Sequence, residues 1–192
     1  WKVIRPPQDV TALAEAGDLA ENAWAFTADL TDASQANLLI QEILRREGKL
    51  DVLVNNLGRG LRSQLVDTTD EEWDYLVKIN LSSAFYMCRA ALPHMRERHL
   101  GDIINIASRA GRRGEGDFAA YSALKHAVVG LTRALADSES KYGIRANAVC
   151  PGLVATERLK RVKPNLDFVE AIQPGDVAEA VLAAPVDAVG LK

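Results

Sequence analysis

Two cysteines and three histidines are all that this 192-residue chain offers for thiol chemistry or soft-metal ligation. Cys88 and Cys150 are too few for a disulfide framework and suit the buried thiols of a reduced, cytoplasmic protein. His94, His99 and His126 lack metal-ligand spacing to cysteine or to each other, which excludes a zinc site of the usual kind. Long apolar runs are also missing. Nothing approaches the ~18 residues of a membrane span, and the N-terminus lacks the charged-then-apolar layout of a signal peptide. Basic surplus is absent too: 23 Lys and Arg against 26 Asp and Glu give a net charge of −3, with no electrostatic footprint for nucleic acid or an anionic membrane. There is no internal repeat, low-complexity tract or linker. What remains, 48% hydrophobic and 26% charged, has the composition of one ordinary domain over residues 1–192.

The positive signal lies in one stretch. Ile103-Ile104-Asn105-Ile106-Ala107-Ser108 has the length of a strand, a Gly- and Arg-rich loop follows, and a helix then carries Tyr121 and Lys125. Four residues is about one helical turn, so the phenol and the ammonium share a face. A lysine charge about 4 Å from a phenolate favours ionisation by up to ~4 kcal/mol at an effective dielectric near 20, which makes tyrosine a usable proton-transfer group. By itself the spacing means little, because chance produces it in roughly one chain in three or four of this length. The neighbours carry the weight. Ser108 stands at the C-terminal end of its strand, where open parallel sheets place ligands. Asn55-Asn56-Leu57-Gly58 follows the short strand Asp51-Val52-Leu53-Val54, and Pro151-Gly152 follows the strand from Ile144 to Cys150, with Thr156 five positions after the proline.

Read in order, the chain alternates strand and helix. Trp1 to Ile4 predicts a strand, stopped by Arg5 and Pro6-Pro7 before a helix from about Gln8 to Ala16. A second strand, Trp24 to Ala28, ends at Asp29-Leu30, and Thr31 or Asp32 is placed to cap the next helix, whose Leu39, Ile40, Ile43 and Leu44 form a face for a sheet. Asp70-Glu71-Glu72 suits the start of a long helix containing Asn80, and Pro93 should kink or end it. Met87, Cys88 and Leu92 fall to the core or to a subunit interface. This alternation predicts a single α/β domain, a doubly wound and mainly parallel sheet with helices on both faces.

The ordered set Asn55-Asn56-Leu57-Gly58, Asn80, Ser108, Tyr121-x-x-x-Lys125 and Pro151-Gly152-x-x-x-Thr156 resembles the classical short-chain dehydrogenase/reductase family, whose fold is Rossmann-like. The resemblance covers about residues 1 to 184. It implies hydride transfer between a nicotinamide cofactor and a carbonyl or secondary alcohol. Tyr121 would exchange the proton, Ser108 bind the substrate oxygen, Lys125 lower the Tyr121 pKa and hold the nicotinamide ribose, and Asn80 anchor a water relay. The resemblance further implies that Arg5 reads the adenosine ribose and favours NADP over the alternative, NAD. It assigns Asp29 and Leu30 to the adenine, Asn56, Leu57 and Gly58 to the cofactor ribose, Pro151 and Gly152 to the border of the nicotinamide, and Thr156 to its carboxamide. It also suggests a homodimer or homotetramer built through the long helices. Plainer roles stay open: a solvated Arg5, a turn-forming Asp29, an Asn80 bonded within its own helix.

Three features depart from the family pattern. Leu57 stands where alanine is usual and must turn away from the cofactor or crowd it. The first strand with its Thr-Gly-x-x-x-Gly-x-Gly turn, and a C-terminal strand, are not in the sequence. The expectation is a part of a longer enzyme, with a non-catalytic scaffold as the alternative. An epimerase would need a sizeable substrate domain after Thr156. Finally, Arg59, Arg62, Arg109, Arg112 and Arg113 gather on two loops expected to rim one cleft. They are either merely solvated or point to an anionic substrate, such as a carboxylate or a phosphopantetheine-linked acyl group.

Overall fold

The computed structural model describes residues 24–155 and 172–183. The expected strand at residues 1–4, the helix at 8–16, Arg5 and Thr156 lie outside the described residues. Helix α1 (Ala33–Glu47) begins at Asp32, whose carboxylate accepts from the Ser34 N–H at 2.7 Å. It ends at Gly48, which takes a left-handed φ of 69° and returns its N–H to the Leu44 carbonyl, a cap that costs a Cβ-free residue nothing. Strand β1 (Val52–Asn55) leads through a loop to α2 (Asp70–Val77), opened by a reciprocal capping box between Thr69 and Glu72. A single π-helical turn, Lys78–Ser82, joins α2 to α3 (Ser83–Arg98). Then come β2 (Gly101–Ile106), the long α4 (Ala119–Glu139), β3 (Ile144–Val149) and α5 (Pro174–Ala183).

The three strands form an open parallel sheet in the order β1-β2-β3. The register explains the core. Leu53, Ile103 and Ala146 are aligned across the sheet and share its main hydrophobic cluster with Leu39, Ile40 and Ile43 of α1 and Met87, Ala91 and Met95 of α3. Each fully buried Leu or Ile there contributes about 1.5–3 kcal/mol. Because strand side chains alternate, Val52 and Val54 point to the opposite face, where they remain exposed. Among the described residues, α1, α3 and α4 thus pack on one face of the sheet, and α5 packs against β3.

Two expectations are corrected. Residues 24–29 form no strand among the described residues, since a strand needs a ladder partner and β1 pairs only with β2 there. Trp24 and Phe26 instead meet each other edge to face, centroids 6.5 Å apart, and pack against the main core. Pro93 does not end its helix, which continues to Arg98 and stops at His99 with a φ of 53°. The irregularity in this long helical segment falls earlier, at the π turn around Asn80.

Candidate active site

The site is built where β2 and β3 end. The Ala107 N–H donates to the Val149 carbonyl at 2.7 Å and the Arg109 N–H to the Pro151 carbonyl at 2.8 Å, stitching the two post-strand loops together. Ser108, extended between these bonds, caps a short 3₁₀ turn, its hydroxyl accepting from the Ala110 N–H at 3.1 Å. Helix α4 then starts at Ala119 and brings Tyr121 and Lys125 back over the strand ends. The Lys125 ammonium sits 5.7 Å from the centroid of the Tyr121 ring and donates to the Ile106 carbonyl at 2.8 Å. Ser108 also acts on the Tyr121 phenol, in the direction of a lower pKa.

The electrostatics differ from expectation in one respect. Burial raises the Tyr121 pKa above its ordinary value; the bond from Ser108 opposes this, and the nearby Glu115 carboxylate adds to it. The anticipated lowering by Lys125 is not among the influences on the phenol. Lys125 itself is only 4% exposed, and its ammonium donates to the Ile106 carbonyl. Desolvation brings its own pKa down to about 8, with Cys150 pulling weakly the other way.

Asn80 is buried in the π turn, where widening of the helix frees its amide to bond across as well as along the chain. Its Nδ2 donates to the Leu76 carbonyl at 3.1 Å and to the Arg59 carbonyl at 2.9 Å, and its Oδ1 accepts from the Arg59 N–H at 3.1 Å. The helix-internal bond and the cross-chain clamp therefore coexist. A Cβ on Gly58 would fall 2.8 Å from Asn80 Oδ1 and 3.2 Å from Lys125 Nζ, so the loop after β1 passes close to both.

The residues expected to bind a cofactor separate into two groups. Asn56 and Gly58 are exposed at the end of β1, while Leu57 packs against the main core, so of the two courses open to the bulkier side chain it takes the one that turns away from the backbone edge. Pro151 and Gly152 lie beside Ser108, and Ile172 pairs back on the loop through the Ala155 and Leu153 backbones. These residues are the ones that would hold the ribose and nicotinamide end of a dinucleotide, and at Gly58 and Gly152 they offer backbone without a Cβ. On the other side, Asp29 uses one carboxylate oxygen to hold the Thr31 N–H and hydroxyl at 2.9 and 2.7 Å, and Leu30 is buried, so local turn formation engages the side chain expected to meet adenine.

The arginines also divide. Arg62 pairs with Asp117 and Arg109 with Glu115, whereas Arg59, Arg112 and Arg113 are exposed without an acidic partner among the described residues. Sequence reasoning missed the polar layer directly beneath the site. Asn55 donates to Asn105 Oδ1 at 2.8 Å and to the Cys88 sulfur at 3.3 Å, and Asn105 donates to the Thr132 hydroxyl at 2.9 Å. The available signal was Asn105 itself, an amide inside an otherwise apolar strand.

Comparison with known proteins agrees with this architecture. Residues 4–167 match the short chain dehydrogenase family. A Streptomyces virginiae protein assigned as the monensin polyketide synthase ketoacyl reductase is 46% identical over 137 residues, which are 70% of this chain and 52% of that protein. A hexahydroindene-carboxyl-CoA reductase of Mycobacterium tuberculosis is 37% identical over 163 residues, 80% of this chain and 62% of its own. The chain thus spans between half and two thirds of the length of these two relatives. The structure of ElxO with NADP bound superposes with a TM-score of 0.89 at 28% identity, covering 100% of this chain and 83% of that one. The chain belongs to the short-chain dehydrogenase family.

Proposed function

We propose that the protein is an oxidoreductase that moves a hydride between NADP(H) and a carbonyl or secondary alcohol, with NAD as the alternative carrier. The observation that carries this is the grouping of a Ser108 hydroxyl, a buried Tyr121 phenol and a desolvated Lys125 at the ends of β2 and β3. A bound nicotinamide would supply the hydride. Ser108 holds the substrate oxygen against the phenol, and Tyr121 gives it a proton during reduction or takes one during oxidation. Lys125 fixes the ribose and keeps a cation near the phenol. Asn80 locks the loop that carries Gly58 and supports proton exchange behind the lysine. NADP is favoured by Arg5 in the sequence and by the NADP bound in ElxO.

The substrate we propose is anionic, because Arg59, Arg112 and Arg113 leave charge unneutralised on the two loops flanking Ser108 and Gly58. The assembly is a homodimer or homotetramer through α3 and α4, which carry between them a groove of about 330 Å³ lined by Phe85, Leu92, Leu131 and Leu135, and its setting is cytoplasmic. The test is turnover of NADPH and NADH with ketones matched in size but differing in charge. NADPH with an anionic ketone should give the highest kcat/KM at low salt, and Arg112→Ala should lower it. Equal kcat/KM for neutral and anionic ketones, unmoved by Arg112→Ala, would remove the anionic assignment. No turnover with any ketone or alcohol would return the chain to the scaffold class.

A further inference from the structure

Helix α4 opens on a residue that cannot cap it. Helix N-termini favour Ser, Thr, Asp or Asn, whose side-chain oxygen takes up a free N–H of the first turn. Phe118 stands there instead, at φ −135° and ψ 35°, with no side-chain cap. A local rule broken at the edge of a site marks a side chain kept for another role. Tyr121 follows three residues later, and helix side chains lean toward the N-terminus, so the surface on which the Tyr121 ring can rest is the one that Phe118 covers. The two rings meet edge to face, centroids 6.1 Å apart.

Phe118 is itself held from outside the helix. Its N–H donates to the Glu115 carbonyl at 2.9 Å, and it forms a parallel bridge with Ser63, whose N–H donates to the Asp117 carbonyl at 3.0 Å. Arg62 adds a charged tie, donating through Nε and Nη2 to Asp117 Oδ2 at 3.1 and 2.6 Å. Gly60 lies against both rings: a Cβ there would be 3.5 Å from Phe118 Cε1 and 4.0 Å from Tyr121 Cε2, the ring carbon next to the one that bears the hydroxyl. Arg59, just before it, is clamped by the Asn80 amide. Tyr121 is thus flanked by Phe118 and by a loop tied down on either side of Gly60.

We propose that Phe118 is a positioning residue for Tyr121, its ring giving the phenol the wall that holds it over the strand ends. This rests on the assignment of Tyr121 as the proton-transfer group. A capping side chain at position 118 would serve the helix better and the phenol worse. That opposition separates a positioning role from a structural one.

Two variants make the test. Phe118→Asn offers the helix a cap and removes the ring, whereas Phe118→Tyr keeps a ring of the same shape. The first measurement needs no substrate: carbon-13 relaxation of the tyrosine rings in the cofactor-free protein, with the Tyr121 signal assigned by its loss in Tyr121→Phe. The order parameter of the Tyr121 ring should fall toward the ~0.6 of mobile groups in Phe118→Asn and hold in Phe118→Tyr. The second measurement is ketone reduction with NADPH. Here kcat should fall by up to about 100-fold in Phe118→Asn, the usual cost of a misplacement near 1 Å, with the Kd for NADPH unmoved, and should return in Phe118→Tyr. A loosened ring together with a slowed kcat supports the proposal. An ordered Tyr121 ring in Phe118→Asn, an undiminished kcat, or an equal loss in Phe118→Tyr overturns it. Should Phe118→Asn fail to fold, Phe118→Leu, which keeps bulk without the flat ring, is read by the same criteria. If the wild type turned over no ketone, the functional reading would fall, and the ring order would still decide whether Phe118 holds Tyr121 in place.

Discussion

Two groups of polar side chains at the sheet ends, one around Asn105 and one around Ser108 three residues further on, have opposite characters. Beneath the sheet ends, Asn55, Asn105, Cys88 and Thr132 bond mainly to one another, and the Thr132 hydroxyl turns its own donor to the Val128 carbonyl at 2.7 Å. Burial there pushes the Cys88 thiol up to about 12, far from any pH at which it could react. Just beyond, Ser108, Tyr121 and Lys125 contain the opposite case, a lysine brought down to about 8. The same desolvation acts on both. For a thiol it stabilises the form already present and makes the group inert, whereas for an ammonium it moves the titration toward neutrality. Buried polarity alone therefore does not mark a site: burial raises Tyr121 as it raises the Cys88 thiol, and what sets the site apart is the lysine moved toward neutrality beside that phenol.

The sharpest way to break this contrast is to exchange the consequences of mutation between the layers. Tyr121→Phe should reduce kcat by about 10²–10⁴-fold, the usual worth of a positioned proton donor, with the chemical-denaturation midpoint almost unmoved. Asn105→Leu should do the reverse. It strips the acceptor from Asn55 and the donor from Thr132 inside the core, at a cost of about 1–3 kcal/mol, read as a lower midpoint at unchanged slope, while the folded fraction keeps its turnover. Loss of activity with Asn105→Leu at full stability would erase the distinction.

Gly58 is where the site meets the loop that encloses it. Gly58→Ala places a Cβ 2.8 Å from Asn80 Oδ1, and that oxygen cannot swing aside without giving up its bond from the Arg59 N–H. The expected result is a fall of about tenfold in kcat/KM with nicotinamide substrates, since displacements near 1 Å at a catalytic lysine are costly. Unchanged kinetics would show that Asn80 yields freely and is no anchor.

Much of this arrangement was legible before any coordinates. The sheet could be read from its apolar runs because strand periodicity and the order of strand-end motifs are local properties. The grouping of Ser108, Tyr121 and Lys125 could be expected from the order of the motifs around them, since the spacing of Tyr121 and Lys125 alone means little. What could not be read depends on partners distant in sequence. Residues 24–29 look like a strand in composition, yet strandedness requires a neighbour. The clamp of the Asn80 side chain on the Arg59 backbone joins positions 21 residues apart. The upward shift of Tyr121 follows from how deeply α4 packs on the strand ends, which no spacing along the helix encodes.

The most gradual expected effect is a slope in stability with pH. Lys125 falls from its ordinary 10.5 to about 8 in the folded protein, so between those values the unfolded chain binds more protons than the native one. Stability must then rise with pH across that window, and the penalty for burying the ammonium is present in full below pH 8. The slope is at most about 1.4 kcal/mol per pH unit for one proton. Lys125→Met removes the proton and the slope together, so the difference in unfolding free energy between wild type and variant isolates this one group from the other titrations. Urea unfolding of both proteins at intervals across the window should show the wild type gaining on the variant by about 1 kcal/mol per pH unit and levelling off once the unfolded lysine also deprotonates. A flat difference would mean that the ammonium is solvated or compensated in the folded protein, and the contrast between the reactive and the inert layer would lose its electrostatic basis.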